Sequence, residues 1–177
     1  VIQYVTISST GDAVDFGDQT VHGSTGRTST AGFSNSTRGI WAAGQNAPSS
    51  PFVTNGNSYV TIASTGNDID FGDASQTTNA VLQGFSSPVR GLYQIGLNPR
   101  PIDYVTIATT GNAQDFGDLA VNLGTPAGAS NAVRGLFAGG YIGNTITFVT
   151  IATTGNSQDF GDLTLARFET VGMSSPT

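Results

Sequence analysis

Short β-rich runs alternate along this chain with Gly/Asn punctuation. From Tyr104 it reads YVTIATT, with Val105 and Ile107 on one side of an extended segment and Tyr104, Thr106 and Ala108 on the other. The β-branched density favours strand over helix. Both sides are fairly apolar, which predicts a sheet packed between two neighbours. The run ends in TTGN or STGN, residues that supply the positive-φ positions of a tight hairpin. A further strand is expected through DFGDL. No stretch carries a helical period, so the fold is predicted to be all-β.

The same phrase stands four times. Its opening aromatic falls at Tyr4, Tyr59, Tyr104 and Phe148, at intervals of 55, 45 and 44 residues. A second phrase, Arg-Gly-[Leu/Ile]-aromatic, begins at Arg38, Arg90 and Arg134, and a third, Gly-x-Ser-Ser/Asn, at Gly32, Gly84, Gly128 and Gly172. One module therefore reads as a Gly-x-Ser lead, an RG strand, a Gly/Asn-rich loop, the YVTI strand, a turn and the DFGD strand. Modules fall at about 1–31, 32–83, 84–127 and 128–171, with a further one starting at 172–177. A period near 44 with three or four short strands fits a β-propeller blade, with a β-solenoid as the alternative. Four modules less one strand do not easily close a ring, and Val1 is not an initiator Met. The register thus predicts a part of a longer array.

Composition narrows the function. There are 177 residues, enough for a real core. Charged residues make up only 10%, with no Lys, a single Glu and a net charge of −6. Six scattered Arg cannot form the positive stripe that phosphate backbones or anionic membranes require, so nucleic-acid and membrane partners are not expected. No apolar run approaches the roughly 18 residues of a helical span. With no Cys, disulfides and thiolate metal sites are excluded.

DFG resembles the magnesium-binding signature of protein kinases, but it recurs at the module period, with no HRD loop and no Lys. A structural role is expected instead: Phe16, Phe71, Phe116 and Phe160 fill space between modules, and the Gly permits a bulge. The paired acids Asp15 and Asp18, Asp70 and Asp73, Asp115 and Asp118, and Asp159 and Asp162 cap turns. They are eight of the 12 acids, and the RG residues Arg38, Arg90 and Arg134 are half of the six Arg. Each Arg is expected to pair with a DFGD carboxylate of its own or an adjacent module. Asp68-x-Asp70-x-Gly72-Asp73 resembles a calcium loop, but the other copies lack its acid set, so no metal or other cofactor is expected. His22 is the single histidine and lacks the partners of a catalytic triad. Asn35-Ser36-Thr37 fits a glycosylation acceptor.

The 55-residue interval adds about ten residues, mostly within 43–58 (AGQNAPSSPFVTNGNS). Insertions in repeat arrays gather on one face, often the binding face. The candidate binding residues are therefore Gln45, Asn46, Phe52, Asn55 and Asn57. Trp41 shares its module position with Tyr93 and Phe137 and is expected in the core. A glycan-cleaving enzyme needs two convergent carboxylates, and the acids outside the repeat are few: Asp12, Asp68, Asp103 and Glu169. No catalytic residue is assigned.

The order of parts is similar to kelch repeats: RGLFAGG, from Arg134, stands where those place an apolar strand ending in Gly-Gly, and DFGDLTLAR corresponds to their outer strand. Only one module carries the Gly-Gly, and the outer-strand Trp of kelch repeats is absent. Through YVTIATTGNxxDFGDL and SSxxRGLFAGG-like phrases, the whole chain resembles repeat proteins of tailed phages of marine bacteria, especially cyanophages. That resemblance implies a tail-associated or other virion role. The expectation is a non-enzymatic structural protein on the virion surface, oligomeric within the particle. It would present loops to host-cell glycans or, alternatively, join virion proteins.

Overall fold

In the modules without the insertion, the gaps between the RG, YVTI and DFGD phrases are shorter than the dozen or so residues of a parallel crossover, which leaves antiparallel pairing. The computed structural model describes residues 1–21, 27–46, 53–78, 81–96, 100–141, 143–167 and 171–174. Among them every regular element is a β-strand, arranged in four antiparallel sheets. The first is a ribbon of β1 (Ile2–Tyr4) and β2 (Val14–Gly17). The second holds β3 (Arg27–Thr28), β4 (Ala31–Ser34), β5 (Arg38–Ala42), β6 (Gly44–Asn46), β7 (Val53–Thr61) and β8 (Ile69–Thr78). The third is the meander β9 (Val81–Ser86), β10 (Arg90–Ile95), β11 (Pro101–Thr106) and β12 (Gln114–Asp118). The fourth repeats it as β13 (Ala127–Ser130), β14 (Arg134–Ala138), β15 (Thr145–Thr150) and β16 (Gln158–Asp162).

Two expectations change. The Gly-x-Ser lead is itself a strand, so a full module has four. The insertion at 43–58 is also not a loop throughout. Within it β6 pairs with the first part of β7 (Gly44 opposite Thr54), while the last part of β7 pairs with β5 (Arg38 opposite Thr61). The added residues extend the sheet.

The DFGD strand carries a bulge at the same place in every copy. Gly117 lies opposite Ile102, yet Asp115 is the partner of Asp103, so Phe116 is the extra residue. Gly17, Gly72 and Gly161 repeat this register break. The glycines have φ of 153°, 132°, 141° and 141° for Gly17, Gly72, Gly117 and Gly161, where a side chain is strained. Each bulged Phe meets the YVTI aromatic of its own sheet edge-on, at 5.8 Å for Tyr59–Phe71 and 5.9 Å for Tyr104–Phe116.

The core lies between sheets. Phe33, Ile40 and Phe71 of the second sheet pack with Tyr93, Ile95, Val105 and Ile107 of the third. Phe85, Leu92, Ile102 and Phe116 of the third pack with Phe137, Val149 and Ile151 of the fourth. The third sheet is thus apolar on both faces, as the pattern of YVTIATT predicts. Trp41 departs from its counterparts: Tyr93 and Phe137 are fully buried, whereas Trp41 is only half-buried and outside both clusters. Among the described residues, the sheet ahead of it consists of the two strands of the ribbon.

Candidate functional site

Successive sheets are joined by one seam, built three times. The glycine of each turn donates its N–H to the carbonyl of the preceding module's bulged Phe: Gly66 to Phe16, Gly111 to Phe71 and Gly155 to Phe116, each at 2.7 Å. Two residues on, the N–H groups of Asp68, Ala113 and Ser157 reach the carbonyls of Asp18, Asp73 and Asp118 at 3.0, 2.7 and 2.9 Å. Between them, Asn67, Asn112 and Asn156 accept from the N–H of those same aspartates at 2.9, 3.0 and 3.0 Å. The Gly-Asn dipeptide of each turn is therefore also the next sheet's attachment point.

The expected Arg–Asp pairing does not form. Among the described residues the one ion pair is the amino terminus with Asp18, at 3.4 Å and exposed to water, where such pairs contribute little. The DFGD carboxylates face solvent, Asp73 half-buried and the other seven exposed. The Oδ1 atoms of Asp70 and Asp115 accept from the N–H of Gly72 and Gly117 at 3.3 and 3.2 Å, capping the bulge. The arginines go elsewhere. Arg38, Arg90 and Arg134 lie over the rings of Tyr59, Tyr104 and Phe148 at 4.5, 4.6 and 4.8 Å. From there Arg38 donates to the Ile107 carbonyl at 2.9 Å, and Arg90 to those of Ile151 and Ala152 at 3.0 and 2.9 Å, all in the following sheet. The guanidinium matches backbone carbonyls of the next sheet, while the bulge turns the acids outward. Arg90→Ala is accordingly expected to cost about 2 kcal/mol, the scale of a charge-assisted hydrogen bond with ring stacking. Arg134→Ala, with no such carbonyl among the described residues, is expected to cost about 1 kcal/mol or less. Urea denaturation of the two variants separates them.

A buried polar group sits where the second and third sheets meet. Asp103, fully buried, accepts from Ser75 N and Ser75 Oγ at 2.8 Å each. Tyr93 Oη accepts from Asn57 Nδ2 at 3.1 Å, and Asn57 Oδ1 accepts from Ala43 N at 3.1 Å. Burial, then the charge of Asp103, pushes the Tyr93 phenol up. Arg27 donates to Ser58 Oγ at 3.1 Å, to Gly56 O at 2.6 Å and to Ala43 O. Its burial lowers the guanidinium to about 10, against the opposing charge of Asp68. Asp68 is buried too, its Oδ1 accepting from Thr20 N and Val21 N at 2.6 and 3.0 Å. It is thus held as a structural acceptor, and among the described residues no group of three or more acids or histidines could hold a metal ion.

Burial raises Asp103 above the ordinary carboxyl value, with the Ser75 hydrogen bonds opposing. Folding therefore favours its protonated form. The stability this group contributes is complete below the usual carboxyl range, near about 4, and is lost as pH climbs through the raised value. Asp103→Asn, which keeps an acceptor for Ser75 N, is expected to flatten the fall in melting temperature above that range. Parallel pH melts of the variant and the native chain would contradict this.

Four of the predicted binding residues, Gln45, Asn46, Asn55 and Asn57, lie on β6 and β7. Asn57 is fully buried and committed to Ala43 and Tyr93, because it continues β7. Asn55 is half-buried on β7, and Gln45 half-buried on β6. Asn46 ends β6 opposite Arg27. Phe52, His22 and Glu169 lie outside the described residues. Asn35 caps its turn, accepting from Thr37 N and Arg38 N at 2.9 Å each, and its Nδ2 donates to Pro88 O at 3.1 Å. A glycan on that nitrogen would displace the Pro88 contact.

What the first strands do form is a groove of about 710 Å³ along β4, β9 and β13, with Gly172 and Ser174 continuing the row. Ser86 Oγ donates to Ser34 O at 2.6 Å and Ser130 Oγ to Ser86 O at 2.8 Å, so the strands are stitched side by side. The recurring Gly-x-Ser marks this row in the sequence. The buried Asp103 also leaves a trace: Ser58, Asp103 and Thr147 each put a polar residue two before a core valine, on the core side of the strand.

No known protein family and no curated protein matches this sequence.

Proposed function

We propose that the chain is a non-catalytic repeat module of a virion appendage, built as a β-propeller and architectural in role. The observation that carries this reading is the seam. The letters shared by all copies go into joining sheet to sheet: Gly-Asn to the preceding DFGD strand, Arg to the following carbonyls, Phe to the intervening core. The side-by-side stitching of first strands along the groove supports wedge-shaped modules around an axis near the groove. Placement on a virion rests on the resemblance to tailed-phage repeat proteins. Electron-microscopic class averages of the purified chain test the architecture. Arcs or rings with the first strands innermost are expected, and straight rods would replace the propeller by a solenoid.

The groove supports a second reading, recognition of a host-surface glycan. Its volume is in the range of ligand sites, and serine, asparagine and glycine edges present hydroxyls, amides and open backbone. Ala132→Trp and Ser36→Trp would fill it without removing a hydrogen bond seen here. Glycan-array binding that disappears in both variants places the ligand in the groove. Silence of the native chain on the array leaves the architectural reading alone.

A further inference from the structure

We infer that the hairpin hollows of the third and fourth sheets are a repeated pair of sites, each holding one neutral sugar ring. They lie in the β11–β12 and β15–β16 hairpins, where YVTI turns into DFGD. One, of about 180 Å³, is lined by Thr106, Thr109, Thr110, Asn112 and Gln114 with the ring of Tyr104. The other, of about 110 Å³, has Thr150, Thr153, Thr154, Asn156 and Gln158 with the ring of Phe148, the same positions one module later. The third sheet has a sheet packed on each face, and its hollow is still open. The hollow therefore belongs to the module itself.

The lining sets the chemistry of the ligand. Three exposed threonine hydroxyls can each donate and accept, and the amides of Asn112 and Gln114 add to both kinds of group. Asn112 Oδ1 is already taken by Asp73 N at 3.0 Å, which leaves its Nδ2 as the donor. Tyr104 Oη donates to Gln114 Oε1, so this amide too is held with its nitrogen as the donor. The half-buried ring gives an apolar wall, which the C–H face of a sugar requires. Among the described residues no charged side chain lines either hollow. Arg90, over the same ring, is committed to the carbonyls of Ile151 and Ala152. The exposed Asp115 and Asp159, next in sequence to the glutamines, repel anions. A small, uncharged, hydroxyl-rich molecule fits these terms. Both volumes fall below the roughly 300–1,000 Å³ of drug-sized sites, which leaves room for a single ring.

The repeat carries its own control. The residue opposite the YVTI aromatic is Gln114 in the third sheet and Gln158 in the fourth, but Ile69 in the second and Val14 in the ribbon. Ile69 and Val14 are 52% and 50% exposed, so the fold accepts an apolar residue here without burying it. A polar head at such a position serves a ligand contact rather than the seam. Phe148 lacks the hydroxyl of Tyr104, so Gln158 is held less firmly, and the third-sheet site should bind about fivefold tighter. Weak sites repeated along one chain gain avidity on a surface that repeats the sugar. The inference depends neither on the groove nor on whether the array is a propeller.

NMR titration of the isotope-labelled native chain tests the inference. Methyl glycosides of glucose, galactose, mannose and N-acetylglucosamine stand for the terminal residue of a glycan, the free reducing sugars for a dissolved hexose, and glucuronate for an acidic sugar. Saturable, millimolar shifts of the Gln114 and Gln158 side-chain amides are expected with at least one neutral sugar and not with glucuronate. Which form of that sugar binds assigns its source. Gln114→Val should abolish the response of Thr109, Thr110 and Asn112 while the fourth-sheet site persists, and Ile69→Gln should add a responding set at Thr65 and Asn67. Both changes install residues that the repeat already carries at this position, so melting temperatures stay native. Shifts of Ser86 and Ser130 report the groove instead, and vanish in Ala132→Trp. Silence of the hollows to every sugar overturns the inference, even where the groove responds. So does a response at Val14 or Ile69 of the native chain, one at Asn112 that survives Gln114→Val, or equal binding of glucuronate.

Discussion

Gly135→Ala is expected to destabilise the protein by about 3 kcal/mol, while the same change at Gly39 is nearly neutral, although both glycines follow the Arg of the RG phrase. The difference lies in what faces each. A Cβ on Gly135 would fall inside the ring of Phe85 from the preceding module, and one on Gly91 inside the ring of Phe33. At Gly39 the nearest atom is Val60 Cγ2 at 3.7 Å, an ordinary contact. The Phe85 ring cannot simply step aside, because it is buried and packed against Phe137 with centroids 4.8 Å apart. Either the ring is expelled, at the scale of a Phe→Ala truncation of about 3–5 kcal/mol, or the sheets separate. Replacing Gly by Ala in a strand otherwise gains about 0.5–1 kcal/mol, so Gly39→Ala is expected to be neutral or slightly stabilising. Chemical denaturation midpoints measure both. Phe85→Ala combined with Gly135→Ala should cost clearly less than the two changes added, since the first removes the obstacle. Equal losses at Gly39 and Gly135 would show that the ring does not set the constraint.

Gly135 also marks what the sequence makes legible. Strand identity, the module period and the bulge at DFG follow from local chemistry: β-branched alternation, Gly-Asn turns and a glycine after Phe. The two-sided burial of YVTI is equally local, since both faces of that strand are apolar. Partner choice between sheets is not local. Counting charges points Arg90 at an aspartate, but the bulge turns those carboxylates outward, and the guanidinium meets carbonyls of Ile151 and Ala152 instead. An excess of Asn and Ser likewise reads as a loop in 43–58, where Asn57 is a buried strand residue whose amide is satisfied by Ala43 and Tyr93. Propensity counts such residues against a strand, and packing overrides it. The Phe85–Gly135 contact spans 50 residues, and only the repetition of both phrases hints at it.

Gly117→Ala is expected to cost about 4 kcal/mol and Gly161→Ala about 1–2 kcal/mol, a comparison that isolates the seam from the bulge. Both residues have φ of 141°, so both variants carry the same backbone strain. Their surroundings differ. A Cβ on Gly117 would stand 2.6 Å from the carbonyl carbon and oxygen of Gly155, atoms of the main chain with no rotamer to escape into, while one on Gly161 meets nothing within 4 Å. Making room at Gly117 pulls the turn of the fourth sheet off the third. That breaks Gly155 N to Phe116 O at 2.7 Å, Ser157 N to Asp118 O at 2.9 Å and Asp118 N to Asn156 Oδ1 at 3.0 Å. Three such bonds at about 1 kcal/mol each, added to the strain, give the larger figure. Hydrogen exchange locates the damage: amides of Gly155 and Ser157 should lose protection in Gly117→Ala and keep it in Gly161→Ala. Protection retained at both amides in Gly117→Ala would mean that the sheets are held by their apolar faces, with the polar seam merely following.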